Sequence, residues 1–197
     1  MATIKQYIIA LTNLYGALRK EKVLEIYNLQ NEDQLTMDDL NIFLDEKEDE
    51  LVDNFVYPEG CFFVHQAIAS TDSLQYMIRE KADKPYYIPK KDKLLYYTND
   101  NYFEKTEEYF DLLQYINKYL INDLKKAKKL CEEIHGMRQF GVGLQKIYEI
   151  LNKRNISFKD NEQINEFLMK ISTMSNNIRI WENNGFTPNE LFKQYDN

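Results

Sequence analysis

The chain has 197 residues, of which 44% are apolar and 29% charged, and it contains only 6 glycines and 4 prolines. This balance excludes wholesale disorder and favours helices over a β protein with many turns. The two cysteines are too few for a disulfide-stapled fold, no apolar run of about 18 residues is present to span a bilayer, and the opening residues lack the pattern of a secretory signal. We therefore expect a reduced, cytoplasmic protein built as one domain, or as a small domain joined to a larger one.

The net charge of −7 is unevenly distributed along the chain. Residues 1–60 contain 5 basic and 13 acidic side chains, whereas residues 61–197 contain 20 basic and 19 acidic ones. The N-terminal part therefore carries essentially all of the excess negative charge.

Three helical patterns open the chain. Apolar residues recur at spacings of three and four, which is typical of helices with one buried face. The helices are predicted at residues 3–16, at about 19–30, and from Thr36 through residue 50. The Thr36 hydroxyl is a natural cap, and the aspartates that follow it suit the positive end of the helix dipole.

A β-hairpin is predicted directly after these helices. The β-prone runs 55–57 and 61–64 flank Pro58-Glu59-Gly60, which favours a turn. Three short helices and a hairpin are the order of a winged-helix module. We therefore predict a winged-helix-like acidic domain at residues 1–70, although other small helical units have the same order of elements.

Residues 71–103 are predicted to connect this domain to the rest of the chain. A helical pattern covers residues 71–83, and the segment 84–100, KPYYIPKKDKLLYYTND, then interrupts it. Pro85 and Pro89 disfavour helix in the residues before them, so Tyr86, Tyr87 and Ile88 are expected to be extended. We interpret residues 71–103 as a connecting helix and a linker rich in Tyr, Lys and Pro.

The remainder, residues 104–197, is predicted to be a helical bundle. Its helices are predicted at 104–120, 122–135, 144–153 and 160–174, with a last helix opened by the capping sequence Thr187-Pro188-Asn189-Glu190. The fold class is therefore mainly α. The segment WENNGFTPNELF is expected to close the bundle, with its Trp181, the only tryptophan, buried against Phe167, Ile171, Phe186 and Leu191.

The usual signatures of catalysis and metal binding do not occur in the sequence. His65 and His135 are the only histidines, and they lie in different predicted modules without a zinc-binding spacing. No nucleophile motif is present, and the glycine-rich stretch 136–143 lacks both the preceding strand and the lysine of a phosphate-binding loop. We predict no catalytic residue, no metal and no cofactor. A protein that is not an enzyme is favoured, and an enzyme of unrecognised class, supported only by the abundant carboxylates, is the open alternative.

The third predicted helix is the first candidate for a binding site. Its acidic side chains are Asp38, Asp39, Asp45, Glu46, Glu48, Asp49 and Glu50, with Lys47 as the lone cation, and the first six are the predicted contacts. In a three-helix DNA-binding module the third helix enters the groove, and there these carboxylates would be repelled by the phosphates. The predicted partner is therefore another protein. A solvated acidic face is the plain alternative, and imitation of DNA by the same surface is a further one.

Two basic clusters are the candidates for nucleic-acid contact, because lysines bind phosphates and exposed tyrosines stack on bases. The first comprises Lys81, Lys84, Lys90, Lys91 and Lys93, interleaved with Tyr86, Tyr87, Tyr96 and Tyr97. The contacts predicted within it are Lys84, Tyr86, Tyr87, Lys90, Lys91 and Lys93. The second comprises Lys118, Lys125, Lys126, Lys128 and Lys129, with Lys125, Lys126 and Lys129 as the predicted contacts, and the ordinary polar face of a helix explains it about as well.

Several segments together resemble a family of bacterial proteins, mostly from low-GC Gram-positive bacteria, that are associated with the SEC-C motif. They are YIIALTNLYG, EKVLEIYNLQNEDQLT, ADKPYYIPKKDKLLYY, YFEKTEEYFDLLQYI and SNNIRIWENNGFTPNELF. The resemblance implies a helical, cytosolic bacterial protein and transfers no catalytic residue. The cysteine-rich zinc motif that follows this ending in some members has no counterpart up to Asn197.

The sequence thus predicts a non-enzymatic interaction protein, an adaptor or an inhibitor, that acts through its acidic N-terminal surface. One alternative is a nucleic-acid-binding regulator that uses the lysines and tyrosines of residues 81–97 and 118–129. Another is a phage-type DNA mimic that inhibits a host enzyme. No membrane contact is predicted.

Overall fold

The structure is a computed structural model that describes residues 3–71 and 73–196. It is mainly helical, as predicted, with one small antiparallel sheet. Two compact units are present: Met1–Phe103 with Trp181–Gly185, and Glu104–Ile180 with Phe186–Asn197. The chain therefore passes from the second unit into the first for five residues and then returns.

The first unit contains six α-helices and three strands within the described residues. In chain order they are α1 (Ile4–Tyr15), β1 (Ala17–Arg19), α2 (Lys20–Gln30), α3 (Met37–Val52), β2 (Val56–Glu59), β3 (Phe62–His65), α4 (Gln66–Ala69), α5 (Leu74–Lys81) and α6 (Lys91–Leu94), followed by a 3₁₀ turn at Leu95–Thr98. The three N-terminal helices and the hairpin lie where the periodicity places them. Strand β1 and the short helices α4 and α6 are additional elements.

Capping residues explain where α1 and α3 begin and end. Thr3 and Thr36 each accept a hydrogen bond from the backbone amide three residues later, which satisfies an otherwise unpaired amide. Gly16 ends α1 at a φ of 74°, a left-handed conformation that favours glycine. Helix α3 bends at Lys47, whose φ of −140° is not helical.

The sheet has the order β1-β3-β2, and both pairs are antiparallel. Leu18 lies opposite Phe63, and Val56 lies opposite His65. Strand β1 has only three residues, so no alternating pattern long enough to predict a strand exists there.

Helix α1 is the centre of the first unit. Every residue from Tyr7 to Tyr15 is buried, including the polar Thr12 and Asn13. Helices α2 and α3, the strands, and residues of the predicted linker pack around it. The hydrophobic effect of this burial is the main stabilising contribution in the unit.

Residues 73–103, predicted as a connecting helix and linker, belong to the first unit, and several of their side chains pack into this core. Leu94 and Tyr97 are fully buried in the same cluster as α1, and Tyr86 and Tyr87 pack against it. Asn13 donates a hydrogen bond to the Tyr97 carbonyl at 2.8 Å. Residues 84–90 are in neither a helix nor a strand, as the prolines favour. The segment lies on the core because its tyrosines are large enough to bury substantial area there.

The second unit contains five α-helices within the described residues. They are α7 (Glu107–Tyr115), α8 (Leu124–Gln139), α9 (Leu144–Lys153), α10 (Asn161–Asn176) and α11 (Pro188–Tyr195). The core includes Tyr109, Leu112, Leu130 and Ile171. Helix α8 continues through Gly136 to Gln139, past its predicted end, and the left-handed Gly141 (φ 78°) follows it.

A π-helical segment, Ile116–Ile121, extends α7. It ends at Asn122, which is left-handed at a φ of 51°, and Asp123 then caps α8 through the amides of Lys125 and Lys126. Wide helical turns of this type are uncommon and occur frequently at functional sites.

Trp181 is buried, as predicted. It lies in a cluster of the first unit with Ala17, Val64, Ile68 and Met77, whereas Phe167, Ile171, Phe186 and Leu191 belong to the second unit. The pattern of the surrounding helices gave no sign that residues 181–185 leave the bundle.

We use the term clasp for residues 181–185 together with the groups that hold them in the first unit. Trp181 Nε1 donates to the Asn13 carbonyl at 3.0 Å, and the ring lies directly on Gly16. Lys81 donates to the carbonyls of Tyr15 and Ala17. The carbonyls at the end of α1 are thereby satisfied by side chains that are distant in sequence.

Asn184 completes the clasp. Its side-chain amide donates to the carbonyls of Lys81 and Lys84, at 3.2 and 2.9 Å. Its carbonyl accepts the amide hydrogen of Tyr87 at 3.0 Å. The Asn-rich segment after Trp181 therefore holds the backbone of residues 81–87 in place.

Candidate functional site

The acidic face of α3 is the first candidate site, and its predicted residues all reach solvent. Asp38, Asp39, Asp45, Glu46, Glu48 and Asp49 are exposed. The buried side of the helix carries Leu40, Leu44 and Leu51. This division follows from the helical period, because the three leucines recur at intervals of four and seven residues.

An exposed isoleucine lies within this acidic face. Ile42 is 58% exposed, although isoleucine is among the residues most often buried. Its neighbours on the helix surface, three and four positions away in each direction, are Asp38, Asp39, Asp45 and Glu46. We call these five residues the Ile42 patch. An apolar centre within a charged rim is the composition of a protein-binding surface.

The charges of the Ile42 patch are not neutralised by cations of the described chain. Among the described residues, the ion pairs that involve α3 all end on Glu50, which pairs with Lys5 and Lys47. The pKa of Glu50 is lowered chiefly by its hydrogen bond from Lys5. The Thr36 hydroxyl and amide lower the pKa of Asp39 by hydrogen bonding to its carboxylate. The patch therefore presents a concentrated negative field to solvent.

The first basic cluster is largely occupied by contacts within the first unit. Lys84 donates to the Glu182 carbonyl at 2.8 Å, and Lys91 donates to the Asn31 side chain. Tyr86 is half-buried, with its ring edge-on to Tyr15 at 5.1 Å. These contacts fix the segment in the core.

Two further lysines of that cluster point to solvent, and one further tyrosine does not. Lys90 and Lys93 are exposed. The Tyr87 carbonyl accepts the Tyr15 hydroxyl at 2.6 Å, and its side chain is half-buried. The cluster thus offers fewer free cations and aromatic faces than its sequence predicts, and nucleic-acid binding through it stays a prediction.

The second basic cluster lies beside a cleft of about 630 Å³ in the second unit. Lys126 and Lys129 line this cleft, and Lys125 is exposed on the neighbouring turn of α8. The structure adds Lys153 and Arg154 to the lining, from the end of α9 and the residue after it. We call these four cations and the cleft the basic cleft.

Neither histidine has the surroundings of a catalytic base. His65 Nδ1 accepts the Ala67 amide hydrogen at 3.1 Å and so caps α4, while its ring lies 4.9 Å from the Trp181 ring. Burial lowers the pKa of His65 to about 4, against a small opposing effect of Asp100. Burial also lowers the pKa of His135 to about 4. Both imidazoles are therefore neutral at physiological pH.

The described residues also bear on metal binding and on membrane spans. Within residues 3–71 and 73–196, no group of three or more His, Cys, Asp or Glu side chains is arranged to hold a metal ion. Over the same residues, no helix combines the length and apolar character needed to cross a bilayer.

Comparison with known proteins finds no match among protein-family models, curated proteins or solved structures. The resemblance to SEC-C-associated proteins therefore stays a prediction.

Two features of the candidate sites were missed by sequence reasoning. Ile42 carries a usable signal, because an apolar residue whose helical neighbours are all acidic cannot lie on the buried stripe. Lys153 and Arg154 carry none, since their approach to Lys126 and Lys129 depends on how α8 and α9 pack.

Proposed function

We propose that the protein is a non-enzymatic interaction protein whose first unit binds a basic polypeptide through the Ile42 patch. The observation that carries this proposal is the exposed Ile42 surrounded by four carboxylates. A partner helix or strand with an apolar side chain between Lys or Arg residues matches the patch in both shape and charge. Burial of Ile42 would supply affinity, and the carboxylates would supply orientation and a fast association rate.

We further propose that residues 3–65 form a variant of the winged-helix module. The order of elements supports this: α1, β1, α2 and α3 are followed by the hairpin β2–β3, and β1 joins the sheet beside β3. In this arrangement α3 is the helix that a DNA-binding relative would insert into a groove. Here the exposed side of α3 is anionic, which favours a protein in place of the phosphate backbone.

Imitation of DNA is the competing interpretation of the same surface. A DNA mimic presents negative charges and has no need for an exposed apolar group at their centre. Ile42 therefore distinguishes the two proposals. A mimic would retain its partner when Ile42 is made polar, whereas an apolar anchor would not.

The test compares Ile42→Ser with Leu29→Ser. Leu29 is 71% exposed on α2 of the same unit, so both substitutions remove an exposed aliphatic group. Proteins captured from the native host by the full chain are identified by mass spectrometry, and the affinity of each purified candidate is then measured. We expect Ile42→Ser to lower the affinity for a genuine partner by about tenfold or more, because burying an aliphatic side chain contributes about 1.5–3 kcal/mol. We expect Leu29→Ser to have little effect on this affinity.

Charge reversal provides the second arm. In the charge-reversed variant, lysine replaces Asp45, Glu46, Glu48 and Asp49, and this variant should no longer bind the partner. The affinity of the wild type for the partner should fall as the salt concentration is raised. Equal binding by the wild type, the charge-reversed chain and Ile42→Ser would overturn the proposal. Sensitivity to charge without sensitivity to Ile42 would favour the DNA mimic.

A further inference from the structure

We propose that the basic cleft of the second unit binds a nucleoside polyphosphate. Two helices bring the cations together: Lys126 and Lys129 lie one turn apart on α8, and Lys153 and Arg154 lie at the end of α9. Among the described residues, no acidic side chain lines the cleft. This site is separate from the Ile42 patch and does not depend on the function proposed for it.

The charge balance around the cleft leaves cations available for a ligand. Arg154 pairs with Glu133, and Lys126 lies 3.6 Å from the capping carboxylate Asp123. Within the described residues, no ion pair involves Lys129 or Lys153. The Lys153 charge contributes to the lowered pKa of Glu149 without a direct ion pair. The ammonium groups of Lys129 and Lys153 are therefore the donors that phosphate oxygens can reach without breaking an ion pair, and charge-assisted hydrogen bonds of this type are the strong ones.

The other walls of the cleft are apolar. Leu120 and Ile121, from the end of the π-helical segment, and Ile156, after α9, complete the lining together with Asn155. A ligand that is only charged would leave these side chains uncovered. A base or similar flat group attached to the phosphates would cover them, and Asn155 offers a donor and an acceptor for its polar edge.

The size and lining of the cleft distinguish a small ligand from a nucleic-acid strand. A volume of about 630 Å³ lies within the range of small-molecule sites, which is roughly 300–1,000 Å³. Strands are bound along grooves in which successive bases stack on aromatic side chains. Among the described residues, no aromatic side chain lines the cleft. These features favour the small ligand.

The test measures binding of ATP, GTP, inorganic triphosphate and a single-stranded DNA oligonucleotide to the full chain at low and moderate salt. Two double variants have the same change in net charge. Lys129→Gln with Lys153→Gln removes two ammonium donors of the cleft, and Lys125→Gln with Lys159→Gln removes two exposed lysines that do not line it. A further variant, Ile121→Ser, alters the apolar wall.

We expect at least one nucleotide to bind more tightly than inorganic triphosphate. The double variant of Lys129 and Lys153 should lower the affinity for that nucleotide by about tenfold or more. The double variant of Lys125 and Lys159 should change this affinity by less than about threefold, because exposed charges at a distance are screened. Ile121→Ser should lower the affinity for the nucleotide and leave the affinity for inorganic triphosphate unchanged. Absence of nucleotide binding at low salt, equal sensitivity of both double variants, or binding of the oligonucleotide alone would each overturn the proposal.

Discussion

The clasp and the Ile42 patch lie in the same unit and use their polar groups in opposite ways. In the clasp, Trp181, Lys81 and Asn184 direct their donors at backbone carbonyls of the unit itself. In the patch, the carboxylates of Asp45 and Glu46 direct their charge at solvent, with no cation of the described chain paired to them. The most distinctive stretch of this sequence is thus used inside the fold, whereas the surface that we propose for recognition lies on an ordinary charged helix.

The largest effect is expected from Trp181→Ala. The substitution removes a fully buried indole and leaves the Asn13 carbonyl without its donor, so it should lower the free energy of unfolding by about 3–5 kcal/mol. Urea denaturation followed by circular dichroism measures the change. Trp181→Phe retains most of the ring and should cost less. A loss below about 1 kcal/mol for the alanine variant would show that the clasp is not structural.

A slightly smaller loss, of about 2–4 kcal/mol, is expected from Gly16→Ala. A methyl group at Gly16 would overlap the Trp181 ring, and the φ of 74° is strained for alanine. Gly60→Ala is the matched control, because Gly60 also has a positive φ (56°) but no atom lies within 4 Å of the added carbon. We expect Gly60→Ala to lower the free energy of unfolding only by the backbone strain, about 1 kcal/mol, in the same denaturation experiment. Equal costs at the two positions would contradict the close approach of Trp181.

Acid should lower the stability of the first unit because His65 becomes protonated on unfolding. Burial holds the pKa of His65 at about 4, below its ordinary value of 6.5, so between these pH values the unfolded chain binds the additional proton. Stability is therefore lost as the pH falls through this window, by about 2 kcal/mol between pH 7 and pH 5.

Trp181 fluorescence during urea denaturation reports on this unit, and His65→Asn provides the comparison. Asparagine keeps an acceptor for the Ala67 amide but does not titrate. The variant should therefore lose less stability than the wild type between pH 7 and pH 5. An identical pH dependence of both proteins would assign the acid sensitivity to other groups.

The smallest effect is expected on the patch. Ile42→Ser and the four lysine substitutions of the charge-reversed variant should each change the unfolding free energy by less than about 0.5 kcal/mol, because these side chains are exposed and make no contact that the fold requires. Thermal unfolding measures this directly. A large destabilisation would show that the patch, like the clasp, serves the fold.

Sequence reasoning predicted local structure well and packing poorly. Periodicity and capping placed α1 to α3, the hairpin and the helices of the second unit, because these signals depend on neighbours in the chain. The extended segment around Tyr86 was interpreted as a linker because burial by α1, about 70 residues away in sequence, leaves no local trace. The same limit explains why Ala17, Val64, Ile68 and Met77 were not predicted as neighbours of Trp181.

The candidate sites follow the same division. All six acidic residues predicted on α3 are exposed, since the helical period alone decides which side of a helix is apolar. The second basic cluster was predicted from one helix, and only the packing of α8 beside the end of α9 adds Lys153 and Arg154 to it. Sequence can therefore identify a charged face, but not a cleft built from two helices.

The excursion of residues 181–185 into the first unit has a consequence for synthesis on the ribosome. By the time Phe103 has emerged from the exit tunnel, most of that unit's chain is available, but the Asn13 and Tyr87 backbones still lack partners that are encoded about 80 residues later. The nascent N-terminal part therefore lacks these partners until Gly185 has itself emerged from the exit tunnel.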